Sequence, residues 1–139
     1  MSDCIFCGIV LRAVTASIVY DDELTMAFMD MRQPNRGHVL VVPKTHVRDI
    51  LTLDDATGAA IMSTVARVAR AVQAALAPDG MNIFQSNGEA AGQEVFHLHM
   101  HVLPRRAGDG LLRMDDASPE MPPRAELDEL AAVLRAAIG

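Results

Sequence analysis

His97, His99 and His101 alternate with Leu98, Met100 and Val102, and they are three of the five histidines in the chain. Alternate residues of a strand share a face and lie about 6.6 Å apart. A strand here puts three imidazoles on one face and three apolar side chains on the other. Burying an imidazole without a partner is unfavourable, so packing alone explains the run poorly. Two chemistries suit it. Two histidines two apart on a strand can share a metal ion. A neutral imidazole is also a good nucleophile toward phosphorus, and it splits one hard displacement into two easier ones. Its neighbours can donate hydrogen bonds to phosphate oxygens and protonate a leaving group. The preceding residues favour this second chemistry. Residues 87–96 read Asn-Gly-Glu-Ala-Ala-Gly-Gln-Glu-Val-Phe, and backbone N–H groups of such a glycine-bearing loop can approach an anion closely. A second reactive pattern is Cys4-Ile5-Phe6-Cys7, a spacing that serves a metal half-site or a redox pair. The strand-then-helix context of a thioredoxin-type pair is missing.

The elements that must hold these groups follow from pattern. A short helix is expected within residues 4–13. Strands are expected at 18–20 and 25–30 around the turn Asp21-Asp22-Glu23, at 36–43 ended by Pro43, at 81–86 and at 94–103. Ile61, Val65, Val68, Val72 and Leu76 recur at three- and four-residue steps, which predicts a long amphipathic helix over 52–77. Thr52 and Asp55 give it a capping-box-like start, and Pro78 and Gly80 stop it. Leu127, Leu130, Val133, Leu134 and Ile138 predict a C-terminal amphipathic helix over about 124–138. Between them, residues 105–123 carry the glycines, prolines and paired aspartates of a loop. Strand pairs joined by short turns around one long helix indicate an α+β domain: an antiparallel sheet with helices on one side.

The bulk numbers fit one domain over residues 1–139. Half the residues are apolar and 22% are charged, an ordinary globular composition. A formal charge of −6 argues against a protein that coats nucleic acid or an anionic membrane, yet it allows a small anionic ligand in a locally positive pocket. Met1-Ser2-Asp3-Cys4 does not open a signal peptide, and no stretch is apolar enough for a membrane span. The expectation is a cytoplasmic protein, where a structural disulfide would be unusual.

With these residues in view, the sequence resembles the histidine-triad (HIT) family. The likeness rests on His97-Leu98-His99-Met100-His101-Val102-Leu103, preceded by Ala91-Gly92-Gln93 and followed by Pro104-Arg105. It rests also on Ala27-Phe28-Met29-Asp30, on Gly37-His38-Val39-Leu40-Val41-Val42-Pro43-Lys44-Thr45-His46, and on Ile5-Phe6 with Ile9. Together these cover residues 4–104. The resemblance implies a five-stranded antiparallel sheet with one long central helix and a C-terminal helix, paired in a homodimer into a ten-stranded sheet. It implies hydrolysis at the α-phosphate of a purine nucleotide derivative, through a covalent histidine–nucleotidyl intermediate. His99 takes the place of the nucleophile, His101 lies by the α-phosphate and leaving group, and His38 supports the triad. Asp30 takes the ribose hydroxyls. Ile5, Phe6, Ile9, Phe28 and Met31 form the base slot. Asn87, Gly92 and Gln93 belong to the phosphate loop.

One position departs from the pattern. Many relatives carry Ser or Thr after Gly-Gln, where this chain has Glu94. A carboxylate near a phosphate is repulsive, so either Glu94 turns its side chain away or the substrate brings a cation. Bacterial-type relatives often bind zinc through the CxxC, and the implied ligands are Cys4, Cys7, His46 and His97, a closed structural set needing no role in the chemistry. Two branches stay open: phosphoramidate or adenylate hydrolysis (Hint-like), and dinucleoside polyphosphate cleavage (Fhit-like). Leu103-Pro104-Arg105-Arg106-Ala107-Gly108-Asp109 leans to the latter, and the absence of tryptophan excludes the Trp-bearing tail of many Hint-like relatives. A nucleotide-binding module without catalysis and a metallohydrolase built on the histidine strand are the remaining readings.

Overall fold

The computed structural model describes residues 3–111 and 121–138. These divide into two units, Met1–Asp109 and Gly110–Gly139. In the first, a short helix α1 (Ile5–Val10) precedes strands β1 (Ile18–Asp21), β2 (Thr25–Met29) and β3 (Val39–Pro43). The long helix α2 (Asp55–Leu76) separates them from β4 (Gly80–Phe84) and β5 (Met100–Arg105). All pairings are antiparallel, and the sheet order is β1-β2-β3-β5-β4. The α+β sheet expected from the sequence is therefore present. The second unit holds helix α3 (Arg124–Ala137), whose Leu130, Val133 and Leu134 are exposed. Of the expected loop 105–123, Arg105 belongs to β5, residues 121–123 carry no helix or strand, and residues 112–120 lie outside the described residues. Among the described residues no helix is long and apolar enough to cross a membrane.

Both faces of the sheet are covered. Ala27, Val39, Val41, Leu98 and Val102 pack on Ile61, Val65, Val68 and Val72 of α2. Met26, Phe28, Leu40 and Val42 pack on Phe6 and Ile9 of α1. This corrects the expectation of helices on one side only. The reason is visible in β3, Val-Leu-Val-Val-Pro, which is buried at every position; a continuous apolar run marks a strand covered twice. Helix α2 starts at Asp55 because Asp54, not Thr52, caps it, its carboxylate accepting the Thr57 N–H at 3.1 Å. Gly37 is required where it stands. Its φ is +104°, and a Cβ there would meet Leu76 Cδ1 at 2.5 Å and Pro104 Cγ at 3.1 Å.

The expected strand over 94–103 begins only at Met100. Its ladder to β3 starts at the Val41–Met100 pair, and β3 ends at Pro43, which has no N–H to offer. Further back the segment bonds to the chain beyond β3 instead, Leu98 donating its N–H to the Val47 carbonyl at 2.6 Å. The alternation of faces nevertheless persists. Leu98, Met100 and Val102 pack toward α2, while His97 and His99 meet Phe6 of α1.

Candidate active site and an adjoining metal-binding cluster

The histidine run is shared between two clusters. His99 and His101 form the first, with ring centroids 5.0 Å apart. Nδ1–H of His99 donates to the His97 carbonyl at 2.7 Å. This fixes the tautomer and leaves Nε2 with its lone pair. Phe6 meets the His99 ring edge to face at 5.1 Å, and burial holds its pKa below that of a free imidazole. His99 is therefore a neutral, oriented base at neutral pH.

His101 lies on β5 opposite Phe84 of β4, and the rings stack with centroids 4.2 Å apart. On its other side, His38 Nε2 is 2.9 Å from His101 Nδ1. Nδ1–H of His38 donates to the Arg32 carbonyl at 3.2 Å and lies 3.5 Å from an Asp30 carboxylate oxygen. His38 Nε2 must then accept, and His101 Nδ1–H donates to it. Asp30, His38 and His101 thus form a relay ending at the free Nε2 of His101. Burial first, then the charges of His99 and His38, push the His101 pKa down to about 4.

That shift has a measurable consequence. In the unfolded chain His101 takes up a proton near pH 6.5, but in the folded chain only near 4. As pH falls through this window the unfolded state binds the proton and the native state does not, so His101 withdraws stability, by at most about 3 kcal/mol. Urea unfolding at pH 7, 5.5 and 4.5 is expected to show this slope, and His101→Asn to make it shallower, with buried His97 and His99 keeping a part of it. An unaltered slope in the variant would contradict the burial argument.

Around this centre the other expected residues fall into three groups. Phe6, Ile9 and Phe28 are buried together, with Phe6 and Phe28 edge to face at 5.2 Å. Ile5 is half exposed and Met31 is 95% exposed, so neither joins that packed group. Asp30 is held by the Arg32 N–H on one carboxylate oxygen at 2.8 Å. In the glycine-bearing loop, Asn87 and Gln93 use their amides on the protein itself. Asn87 accepts from the Ile50 N–H at 2.9 Å and exchanges two bonds with Gln85. Gln93, 3% exposed, accepts from the Gly88 N–H at 2.7 Å and donates to the carbonyls of Arg48 and Val95. These two side chains brace the loop, so any anion would meet its backbone. Gly92 turns the loop at φ +92°. Glu94 turns outward into an ion pair with Arg32.

Three residues here escaped the sequence reading. Phe84 carried a signal, since a strand next to β5 must place an aromatic beside one of the histidines. Arg32 and Gln33 carried none. The Gln33 amide donates to the carbonyls of Asp30 and His38 and accepts from the N–H groups of Gly37 and His38, shaping the β2–β3 connection.

The second cluster is Cys4, Cys7, His46 and His97, whose ligand atoms all lie within 4.8 Å of one another. Cys4 caps α1, with its Sγ accepting the Cys7 N–H at 3.3 Å. His97 is fully buried and donates Nε2–H to the Pro43 carbonyl at 2.8 Å, which leaves Nδ1 as a lone pair facing the sulfurs. Nδ1 of His97 lies 3.2 Å from Nδ1 of His46 and 3.4 and 3.5 Å from the two sulfurs, and Cys7 Sγ lies 3.3 Å from His46 Nδ1. A tetrahedral zinc ion separates its ligands by about 3.4 Å (N to N) and 3.6 Å (N to S). The donor set and its spacing fit that ion, and the cluster can hold a metal.

The chain is thus a five-stranded antiparallel sheet that sets a run of imidazoles beside an N-terminal helix, and the comparisons give its family. Residues 12–108 match the HIT domain, and the chain belongs to the HIT family. A solved HIT-family structure from Bacillus subtilis is 33% identical, covers 99% of this chain and 98% of its own, and superposes with a TM-score of 0.93. A zinc-bound histidine triad family protein from Mycobacterium smegmatis is 37% identical over 95% of this chain and 98% of its own, with a TM-score of 0.73. The adenylylsulfatase HINT3 of Arabidopsis thaliana is 33% identical over 79% of this chain, which spans 56% of that longer protein.

Proposed function

We propose that the chain is a nucleotidyl hydrolase in which His99 attacks the α-phosphorus of an adenosine phosphoramidate or related adenylate. One observation carries this reading. Nδ1–H of His99 is committed to a carbonyl, so Nε2 presents a lone pair beside the Asp30–His38–His101 relay. Nε2 forms a bond to phosphorus while the bond to the leaving group breaks, its electron pair going with the leaving group. The anionic substrate raises the proton affinity of His101, so that its free Nε2 takes a proton from solvent and passes it to the leaving group. Water then attacks phosphorus while giving a proton to the vacated His101 Nε2, the phosphorus–nitrogen bond breaks with its electron pair returning to His99 Nε2, and AMP leaves with His99 restored. Buried Phe6, Ile9 and Phe28 would floor the base slot, with Ile5 and Met31 closing over a bound base. Asp30 would take the ribose hydroxyls, and the backbone of Asn87, Gly92, Gln93 and Glu94 the phosphate oxygens.

The Cys4, Cys7, His46 and His97 set would hold zinc, which supplies a structural cross-link and no step of the reaction. The M. smegmatis relative supports that choice of metal, and the adenylylsulfatase relative supports an activity on an adenylyl compound. A homodimer that pairs two five-stranded sheets into a ten-stranded one and a cytoplasmic location belong to the same reading.

The test is AMP release from adenosine 5′-phosphoramidate and from diadenosine tetraphosphate at equal concentrations. Faster release from the phosphoramidate is expected. The reverse order would move the protein to the dinucleoside polyphosphate branch. Release from neither, with AMP still bound, would make it a binding module.

A further inference from the structure

We propose that Arg32 and Glu94 select the leaving group by charge, with Glu94 disfavouring nucleotides whose leaving group is an anion and Arg32 countering it. The proposal rests on His99 being the nucleophile. Both side chains grow from fixed backbone. The Arg32 N–H is held by Asp30, and its carbonyl accepts from His38. Glu94 follows Gln93, whose buried amide ties the 87–95 loop together. The ion pair therefore joins the two segments that flank His99 and His101. Arg32 stands one hydrogen bond from the relay: His38 bonds the Arg32 carbonyl through Nδ1 at 3.2 Å, and its Nε2 lies 2.9 Å from His101 Nδ1.

The pair is exposed, with 76% of the Arg32 side chain and 65% of the Glu94 side chain accessible. Pairs of this kind are weak and part easily. A guanidinium released beside the reacting phosphate binds oxyanions through paired N–H groups. The carboxylate that held it remains nearby and repels the same oxyanions. An amine leaving group carries no such charge and escapes both effects. Position 94 thus sets a penalty on anionic leaving groups, and position 32 sets the compensation.

The test compares two adenylates that differ at the leaving group. In adenosine 5′-phosphosulfate a phosphorus–oxygen bond breaks and sulfate departs with its electron pair. In adenosine 5′-phosphoramidate a phosphorus–nitrogen bond breaks, and the nitrogen gains a proton to leave as ammonia. The readout is the ratio of kcat/KM for sulfate over amine. Glu94→Gln is expected to raise it about tenfold and Arg32→Gln to lower it about tenfold, with both changes shrinking as salt rises from low to high ionic strength. A ratio that neither substitution moves, in variants that still turn over, would overturn the selector and leave the His99 reading intact. Failure of the wild-type protein to cleave either adenylate would overturn that reading and the selector with it.

Discussion

His99→Ala is expected to lower the turnover of adenosine 5′-phosphoramidate by at least about 10⁴-fold, with AMP affinity held within a few-fold. The size follows from what is removed. Without Nε2 there is no covalent route, and the remaining groups can only assist direct attack by water, which is not held in line by a neighbouring imidazole. Binding should survive because the apolar floor of Phe6, Ile9 and Phe28 is set by packing on β2 and β3, not by His99. His101→Ala should fall short of that loss, since it removes a proton donor and leaves the nucleophile in place. Steady-state kinetics with isothermal titration of AMP separate the two effects. Equal turnover by the wild type and His99→Ala would remove His99 from the chemistry.

Stripping the metal is expected to lower the melting temperature by on the order of 10 °C. The cluster ties together three stretches: the start of α1 through Cys4 and Cys7, the segment after β3 through His46, and the approach to β5 through His97. Alpha1 has only six residues and cannot hold itself as an isolated helix. Loss of the cross-link should therefore free the helix that carries Phe6, and with it the edge contact to His99. The Cys4→Ser, Cys7→Ser double variant should behave like the chelated protein, and chelation should not lower it further. One zinc per chain in the purified protein, measured by elemental analysis, is the companion result. A metal-free preparation with an unaltered melting temperature would contradict the structural role.

Helix α2 was legible because one stripe of Ile61, Val65, Val68 and Val72 faces one sheet, and such a stripe is a local property of the sequence. The alternation through Leu98, Met100 and Val102 was legible for the same reason. The start of β5 was not, because it depends on where β3 runs out, fifty-odd residues earlier in the chain. The three imidazoles lie opposite the apolar set, as the alternation requires; their division between two clusters came from the family resemblance and not from their spacing. His97 turns to Cys4 and Cys7 because Pro43 offers its ring a carbonyl, and His101 turns to His38 because β3 and β5 pair. Glu94 stood out as a misfit beside a phosphate, but its partner lies 62 residues away in a loop without any local pattern. Gln93 lies in the loop expected to hold the phosphate, and its amide turns inward onto Gly88, Arg48 and Val95. A buried amide satisfies backbone groups first, and nothing in the sequence shows which carbonyls will be within reach.

Intact-mass spectrometry of the wild type quenched during turnover of adenosine 5′-phosphoramidate tests the nucleophile most directly, with His101→Ala run alongside to prolong the intermediate. A covalent adduct with the mass of one adenylyl group, mapped by peptide fragmentation to His99 and absent from His99→Ala, is the expected result. Steady AMP release with no adduct in either active protein, or an adduct on any other residue, would contradict it.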